Sequence, residues 1–341
     1  MTQYHRVWCD GCFDMTHFGH YNFMRQAAGL ADELYVGVHN DEEVLKNKAQ
    51  PVFTLQERME LVSACKWVTK AIPDAPYTTE VEWLKRFECE SAVHGDDLVL
   101  NSQGIDCYAA VKDAGLFCTV PRTKAISTTN LIGRMLRLPA DHLPDDVSIN
   151  ISDLKKVAGD ASSLHTYIPT TKRITQFSSN KDPKPDDVVV YVDGTFDLLH
   201  PGHVSFLRKA KELGTYLIVG VHDDPQPGEK RDSPIMTLQE RVLNVLAMRY
   251  VDDVIIGAPY IITKQLLDQI QPAIVVQGSA ATRCREVDAF RIPKERGIFK
   301  QIESDYPEFS SKTVIKRVLE NYNTYASRNA KKETAECEKP E

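Results

Sequence analysis

His17 and His20 stand three residues apart with Gly19 between them, in the run Gly11-Cys12-Phe13-Asp14-Met15-Thr16-His17-Phe18-Gly19-His20. Imidazoles at that spacing face the same way on a helix, and the glycine lets a ligand or backbone come close. Ahead of them Val7-Trp8-Cys9 reads as a short buried strand. Behind them Phe23, Met24 and Ala27 fall on one helical face. The pair therefore sits at the mouth of a helix, where free N–H groups and partial positive charge favour a phosphate. The chemistry implied is a phosphate clamp with two imidazole donors.

A single His-x-Gly-His is also consistent with a loop histidine beside a helix cap. A second copy, Asp193-Gly194-Thr195-Phe196-Asp197-Leu198-Leu199-His200-Pro201-Gly202-His203, starts again from an apolar strand 183 positions later and leaves that reading little room. The offset holds elsewhere. Val219-Gly220-Val221-His222 matches Val36-Gly37-Val38-His39, Thr237-Leu238-Gln239-Glu240-Arg241 matches Thr54-Leu55-Gln56-Glu57-Arg58, and Ala258-Pro259-Tyr260 matches Ala75-Pro76-Tyr77. Two copies of one domain are implied, not a solenoid of short repeats.

The elements that must position these groups alternate. After the first helix comes the strand around Tyr35-Val36-Gly37-Val38, then a capping box Thr54-Leu55-Gln56-Glu57 opening a helix with Met59, Leu61 and Val62 inward. Trp67–Ile72, Ser91–His94 and Leu116–Val120 read as strands; Glu80–Phe87, Cys107–Ala114 and Asn130–Leu136 read as helices. Alternation of this kind predicts a parallel sheet with helices on both faces, and such sheets bind ligands at the carboxyl ends of their strands. Asp10–His20, His94–Asp97 and Arg122–Thr129 each follow a predicted strand, so all three belong at one edge.

At 341 residues with 42% apolar content the chain has room for two ordinary domains, each with its own core. A net charge of −7 argues against generic nucleic-acid or membrane-surface binding. The eight cysteines, including the Cys9-x-x-Cys12 pair, are scattered as reduced core and loop residues of a cytoplasmic protein would be. Met1–Arg6 lacks the features of a signal peptide, and no apolar run is long enough to cross a bilayer.

The motif Asp-Gly-x-Phe-Asp-x-x-His-x-Gly-His resembles that of the His-x-Gly-His nucleotidyltransferases, and within them the cytidylyltransferases that make CDP-alcohols. Arg122-Thr123-x-x-Ile126-Ser127-Thr128 resembles that family's second signature, Arg-Thr-x-Gly-Ile-Ser-Thr, with Ala125 where the family has glycine. An arginine fork grips phosphate oxygens, and Ser/Thr hydroxyls at a helix start donate alongside free N–H groups, although Ser-Thr-Thr alone is only an N-cap. The resemblance implies two tandem Rossmann-like, doubly wound α/β domains. It implies His17, His20, Lys48 and Arg122 as catalytic groups. It places Gly11, Cys12, Phe13, Asp14, His94, Gly95, Asp96, Thr123, Ile126, Ser127 and Thr128 on the nucleotide. Asp10, Tyr77 and Tyr108 would cage an ammonium, though both tyrosines serve equally well as half-buried core residues. Arg58 is structural or nucleotide-side. Lys48 is otherwise a solvated surface lysine.

Two such domains, the linker run Pro169–Ser179, and an arginine signature in the first half alone resemble the phosphoethanolamine-using branch of the family. The implied reaction joins CTP and phosphoethanolamine into CDP-ethanolamine and pyrophosphate, with Mg²⁺ carried by the CTP. Position 305, which corresponds to Arg122, is Asp305, and His94 becomes Gln277. His200 and His203 would thus mark a lapsed second site, with Arg231 where Lys48 would fall. An aminoacyl-tRNA synthetase would need a Lys-Met-Ser-Lys-Ser-like loop, which is absent; a catalytically dead nucleotide-binding regulator is disfavoured by the intact first set. The expected layout is residues 1–137 as the catalytic domain, 138–185 as linker, 186–323 as an inactive repeat and 324–341 as a charged, disordered tail. The halves would form a pseudo-dimer, with a homodimer left open.

Overall fold

The computed structural model describes residues 3–123, 126–138, 170–225, 233–279 and 288–337. In the first half, β1 (Tyr4–Gly11) lies at the centre of a five-stranded parallel sheet of order β3-β2-β1-β4-β5, with β2 Ala31–Val38, β3 Lys70–Ile72, β4 Ser91–Gly95 and β5 Phe117–Val120. The chain moves one way from β1 to β2 and β3, then returns to the other side for β4 and β5. The crevice beyond the ends of β1 and β4 is therefore the topological switch point, where ligands of such sheets bind.

The second half repeats the sheet as β8-β7-β6-β9-β10, with β6 Val189–Gly194, β7 Tyr216–His222, β8 Asp253–Ala258, β9 Ile274–Gly278 and β10 Phe299–Ile302. Both expected domains are present in the expected class.

Helices connect the strands, and those with clear caps or apolar stripes fall where expected; the helix Asp41–Asn47, with only Val44 buried, lies in a stretch that the sequence marks only as polar. In the first half they are α1 Phe18–Ala28, α2 Asp41–Asn47, α3 Leu55–Ser63, α4 Val81–Arg86, α5 Ala109–Asp113 and α6 Thr128–Leu136. Thr54 and Glu57 close the predicted capping box of α3, which buries Leu61 and Val62. After α7 (Thr170–Phe177) the second half contributes α8 Pro201–Lys211, α9 Leu238–Leu246, α10 Lys264–Ile270, α11 Arg291–Glu295, α12 Ser311–Glu320 and α13 Tyr322–Cys337.

Two connecting segments carry local order. Within the linker, the run Ile174–Phe177, which the sequence marks as able to pair with the rest of the chain, belongs to the helix Thr170–Phe177, and Phe177 is buried against Trp67, ring centroids 4.9 Å apart. Residues 139–169 lie outside the described residues. The tail from 324 is not disordered at its start, because it continues as α13, with Tyr325 and Asn329 buried against the first half. Few apolar residues made this segment look solvated; a large aromatic and an amide, one turn apart on the same face, suffice to dock it.

The halves meet about an internal two-fold. The Lys66 N–H donates to Ala247 O and the Arg249 N–H to Ala64 O, both at 2.9 Å, with Cys65 opposite Met248. Each member is related to its counterpart by the same 183-residue offset. Two ion pairs obey the same symmetry. Arg134 on α6 reaches Glu240 on α9 at 2.6 and 2.8 Å, and Arg317 on α12 reaches Glu57 on α3 at 2.7 and 2.8 Å. A continuous apolar cluster runs through both halves, from Val7 and Leu61 to Val242 and Val318, so the pair folds as one body.

Candidate active site

The phosphate clamp is built by the start of α1 itself. His17 is the N-cap, and its Nδ1 accepts the Gly19 N–H at 3.1 Å; His20 Nδ1 accepts the His17 N–H at 3.3 Å. Both Nδ1 atoms act as acceptors, so each neutral ring carries its proton on Nε2 and is a donor there. The rings lie 4.0 Å apart. Burial, then Lys48 and Arg122, lower His20 to about 3, so it is uncharged at pH 7. A Cβ at Gly19 would come within 2.9 Å of His17 Cε1 and 3.0 Å of Ile126 Cγ2. The glycine is therefore the place where the first motif and the Arg122–Thr128 motif touch.

The turn before the clamp is strained: Phe13 and Met15 have φ of 50° and 46°. Asp14 between them holds it, accepting the Val52 and Phe53 N–H groups at 2.9 Å each. Burial raises the Asp14 carboxyl, and these donors and Arg58 pull it back. It ties the loop after α2 to the histidine loop and also borders the cleft. Arg58 is structural too: fully buried, it donates to Cys12 O at 2.7 Å and Phe53 O at 3.2 Å and pairs with Asp41 at 2.6 Å.

A cleft of about 490 Å³ opens over these loops. His17, His20, Lys48 and Arg122 all line it, as do Asp10–Asp14, His94, Gly95, Thr123, Ile126, Ser127 and Thr128. Ser127 caps α6 by accepting the Asn130 N–H at 3.1 Å and keeps its own O–H to donate. Thr128 has already given its proton to Asp14 O at 3.0 Å, so its hydroxyl holds the loop. Asn22 orients Thr123 by a 2.8 Å bond and is itself braced by Arg173 of α7 at 3.0 Å. Ala125, the departure from the family glycine, lies outside the described residues.

Three predicted positions differ from expectation. Asp96 does not line the cleft; its carboxylate accepts the Arg122 N–H at 3.0 Å, while neighbouring Asp97 lines the cleft and pairs with the Arg122 guanidinium at 3.2 Å. The chain turn after β4 decides which acid faces inward. Tyr108 and Asp10 do come together, but as a hydrogen-bonded pair at 2.5 Å, and Asp10 also accepts Trp8 Nε1 at 2.7 Å and Thr79 Oγ1 at 2.5 Å. The Tyr108 ring packs on His94 at 4.8 Å. Tyr77 packs on His39 at 4.9 Å, with Lys48 Nζ 5.9 Å from its ring. Neither tyrosine lines the cleft, so of the expected cage Asp10 alone is presented there, fixed by its three donors.

The second half keeps the scaffold and changes the phosphate corner. Phe196 and Leu198 repeat the strained turn at φ 50° and 46°, and Asp197 again accepts two N–H groups, from Ile235 and Met236. His200 and His203 stack at 3.7 Å. Phe309, which corresponds to Ile126, lies against His200 at 5.1 Å, and the Arg317 guanidinium covers its other side at 4.9 Å. Asp305 pairs with Arg208 and Lys209 of α8 at 2.5 Å each, and the Lys209 and Ser205 bonds hold it down at about 2. An aromatic ring and a neutralised acid thus occupy the phosphate corner. Arg231 lies outside the described residues.

A cytidylyltransferase-like family model matches residues 8–134 and again 191–318. An ethanolamine-phosphate cytidylyltransferase of Dictyostelium discoideum is 44% identical, covering 97% of this chain and 95% of that protein. The chain belongs to this enzyme family. The ethanolamine-phosphate cytidylyltransferase of Mus musculus is 40% identical over 97% of this chain and 90% of its own length. By contrast, the choline-phosphate cytidylyltransferase A of Mus musculus, 37% identical, matches over 39% of this chain and 36% of its own. Among the cleft residues that the sequence did not single out are Phe23, hidden by its place on the apolar stripe of α1, and Arg328 of α13, hidden by the polar composition around it.

Proposed function

We propose that the chain transfers the cytidylyl group of CTP to phosphoethanolamine, releasing CDP-ethanolamine and pyrophosphate, and that the first half alone does so. The observation that carries this reading is the convergence of the neutral His17–His20 pair with Lys48 and Arg122 in the same cleft at the switch point. The likeness to ethanolamine-phosphate cytidylyltransferases over nearly the full chain supports the choice of substrates.

A phosphate oxygen of the acceptor attacks the α-phosphorus in line, the bond from that phosphorus to the bridging oxygen of pyrophosphate breaks, and no covalent enzyme intermediate is needed. Positioning and charge stabilisation carry the rate. The Nε2–H groups of His17 and His20 donate to the α-phosphate and the departing oxygen. Lys48 and Arg122 share the negative charge, and Arg122 exchanges Asp97 for phosphate on binding. Asp10, fixed in place by its three donors, faces the acceptor's ammonium. His94 and Gly95 meet the nucleoside. Mg²⁺ enters with the triphosphate as MgCTP. In support, both oxygens of Asp14 are already taken by the Val52 and Phe53 N–H groups. No described helix is long and apolar enough to cross a membrane, and we assign the enzyme to the cytoplasm.

Pyrophosphate release with CTP and phosphoethanolamine, set against glycerol 3-phosphate as a competing acceptor, tests the reading. A higher kcat/KM for the ethanolamine compound is expected, since glycerol 3-phosphate has no ammonium for Asp10. No release, or preference for glycerol 3-phosphate, would overturn it.

A further inference from the structure

Helix α13 belongs by chain order to the second half, yet it docks on the first. The Tyr325 hydroxyl donates to Gln50 O at 3.1 Å, and Asn329 Nδ2 donates to Thr129 O at 3.1 Å. Those two acceptors flank the cleft from opposite sides: Gln50 follows Lys48, and Thr129 lies in the first turn of α6. The helix is thus strapped across both loops that frame the phosphate end.

Arg328 stands between these anchors, three residues after Tyr325 and one before Asn329, and it lines the cleft with Lys48, Gln50 and Arg122. Among the described residues no carboxylate forms an ion pair with it; its guanidinium lies 5.9 Å from the ring of Tyr325. The cleft continues outward past it, over Leu45, Ala49 and Thr324, to solvent. The acid that faces it is Asp14, whose two oxygens already accept the Val52 and Phe53 N–H groups, while Asp97 pairs with Arg122; a half-buried guanidinium beside Lys48 and Arg122 therefore keeps its hydrogen-bond donors for a further anion. The histidine pair occupies the inner end, beside the strand edges. Arg328 is at the outer end, beyond Lys48.

We propose that Arg328 grips the outer phosphates of the bound nucleoside triphosphate, so that the half without a working site supplies a substrate-binding residue to the half that has one. This rests on the functional reading above. The cleft then reads a triphosphate from three separate directions: α1 and α6 at the α-phosphate, the loop after α2 in the middle, and α13 at the outer end. After transfer, the same guanidinium faces the departing pyrophosphate and not the CDP-alcohol. The α13 strap would therefore discriminate between nucleotides by the number of their phosphates.

The experiment is calorimetric binding of CTP and of CMP to the full chain, to R328A and to R328K. Hydrogen bonds to a charged partner are strong enough that R328A should bind CTP roughly 10- to 100-fold more weakly. CMP, which has no outer phosphate, should bind within about twofold of the parent, since Arg328 makes no contact with it in this arrangement. R328K should recover part of the CTP affinity, because lysine serves as a point charge without the fork. In steady state R328A should raise KM for CTP and leave KM for the acceptor unchanged. Unchanged CTP binding by R328A would overturn the proposal. So would a parallel loss of CTP and CMP, which would mean that the side chain only braces the helix. A parent chain that binds no CTP would defeat the functional reading itself, and this proposal with it; parent binding that R328A leaves intact defeats the Arg328 assignment alone.

Discussion

At the scale of single residues, His20 works without its charge. Its ring is held near 3 by burial and by two cations, so it serves as an Nε2–H donor and not as an imidazolium. A preorganised donor of that kind typically contributes ~10²–10³ in kcat. His17→Ala and His20→Ala should each lose about that much in steady-state assays while circular dichroism stays native. The burial of these rings also has a stability cost in acid. His203, in the second half, is likewise lowered by burial from its ordinary 6.5 to about 3. The unfolded chain takes up that proton first as pH falls. The stabilising contribution is therefore complete above pH 6.5 and is lost progressively toward pH 3. His203→Gln removes one such group, so its unfolding free energy should fall less than the parent's between pH 7 and pH 5, by up to about 1.4 kcal/mol per pH unit. Denaturant titration at the two pH values reads this directly. These histidines were legible in the sequence because type, spacing and repetition coincide. The choice between Asp96 and Asp97 was not, because the two are chemically identical and only the turn after β4 decides which one faces the cleft.

At the scale of elements, the symmetric ion pairs are chemically alike but differ in how far they are buried. The Arg134 and Glu240 side chains are 2% and 1% exposed, and those of Arg317 and Glu57 are 32% and 12% exposed. Breaking a buried pair leaves an uncompensated charge and typically costs about 3–5 kcal/mol, whereas a pair in contact with water contributes at most about 1 kcal/mol. Arg134→Met should therefore destabilise the chain far more than Arg317→Met in urea. The double variant Arg134→Met/Glu240→Leu should recover part of the loss, since it strands no charge, although it also gives up the Thr237–Glu240 capping box. The strands and capped helices around these pairs were readable from periodicity. Helix α13 and helix α7 were not. Each has a short apolar face, Ile174 with Phe177 on α7 and Tyr322, Tyr325 and Ala326 on α13, joined by polar groups such as Arg173 and Asn329. A face that short gives periodicity little to detect, and directed hydrogen bonds add to its area.

At the scale of the molecule, the two halves share a sheet order and differ at a corner. The offset alone located Asp305 opposite Arg122, and the structure adds Phe309, which fills the space that Ile126 leaves open. His200→Ala/His203→Ala should leave kcat within a few-fold of the parent, and calorimetry should find one CTP per chain; two equivalent sites would contradict the asymmetry. What the sequence did not reveal is how the halves dock. Cys65 and Met248 face each other across the internal axis, and neither is distinctive as a residue type. Their meeting is a property of the assembled surface and leaves no local pattern. The seam has a kinetic consequence. In a dimer of separate chains, mass action empties the interface on dilution. Here the Lys66–Ala247 and Arg249–Ala64 contacts close within one polypeptide, so the effective concentration of the partner surface is set by chain length and not by the amount of protein present. The helix that crosses from the second half onto the cleft of the first is delivered by the same tether. Turnover per molecule should accordingly stay constant from micromolar down to sub-nanomolar enzyme, and a sigmoidal loss of specific activity on dilution would show that the site depends on a second chain.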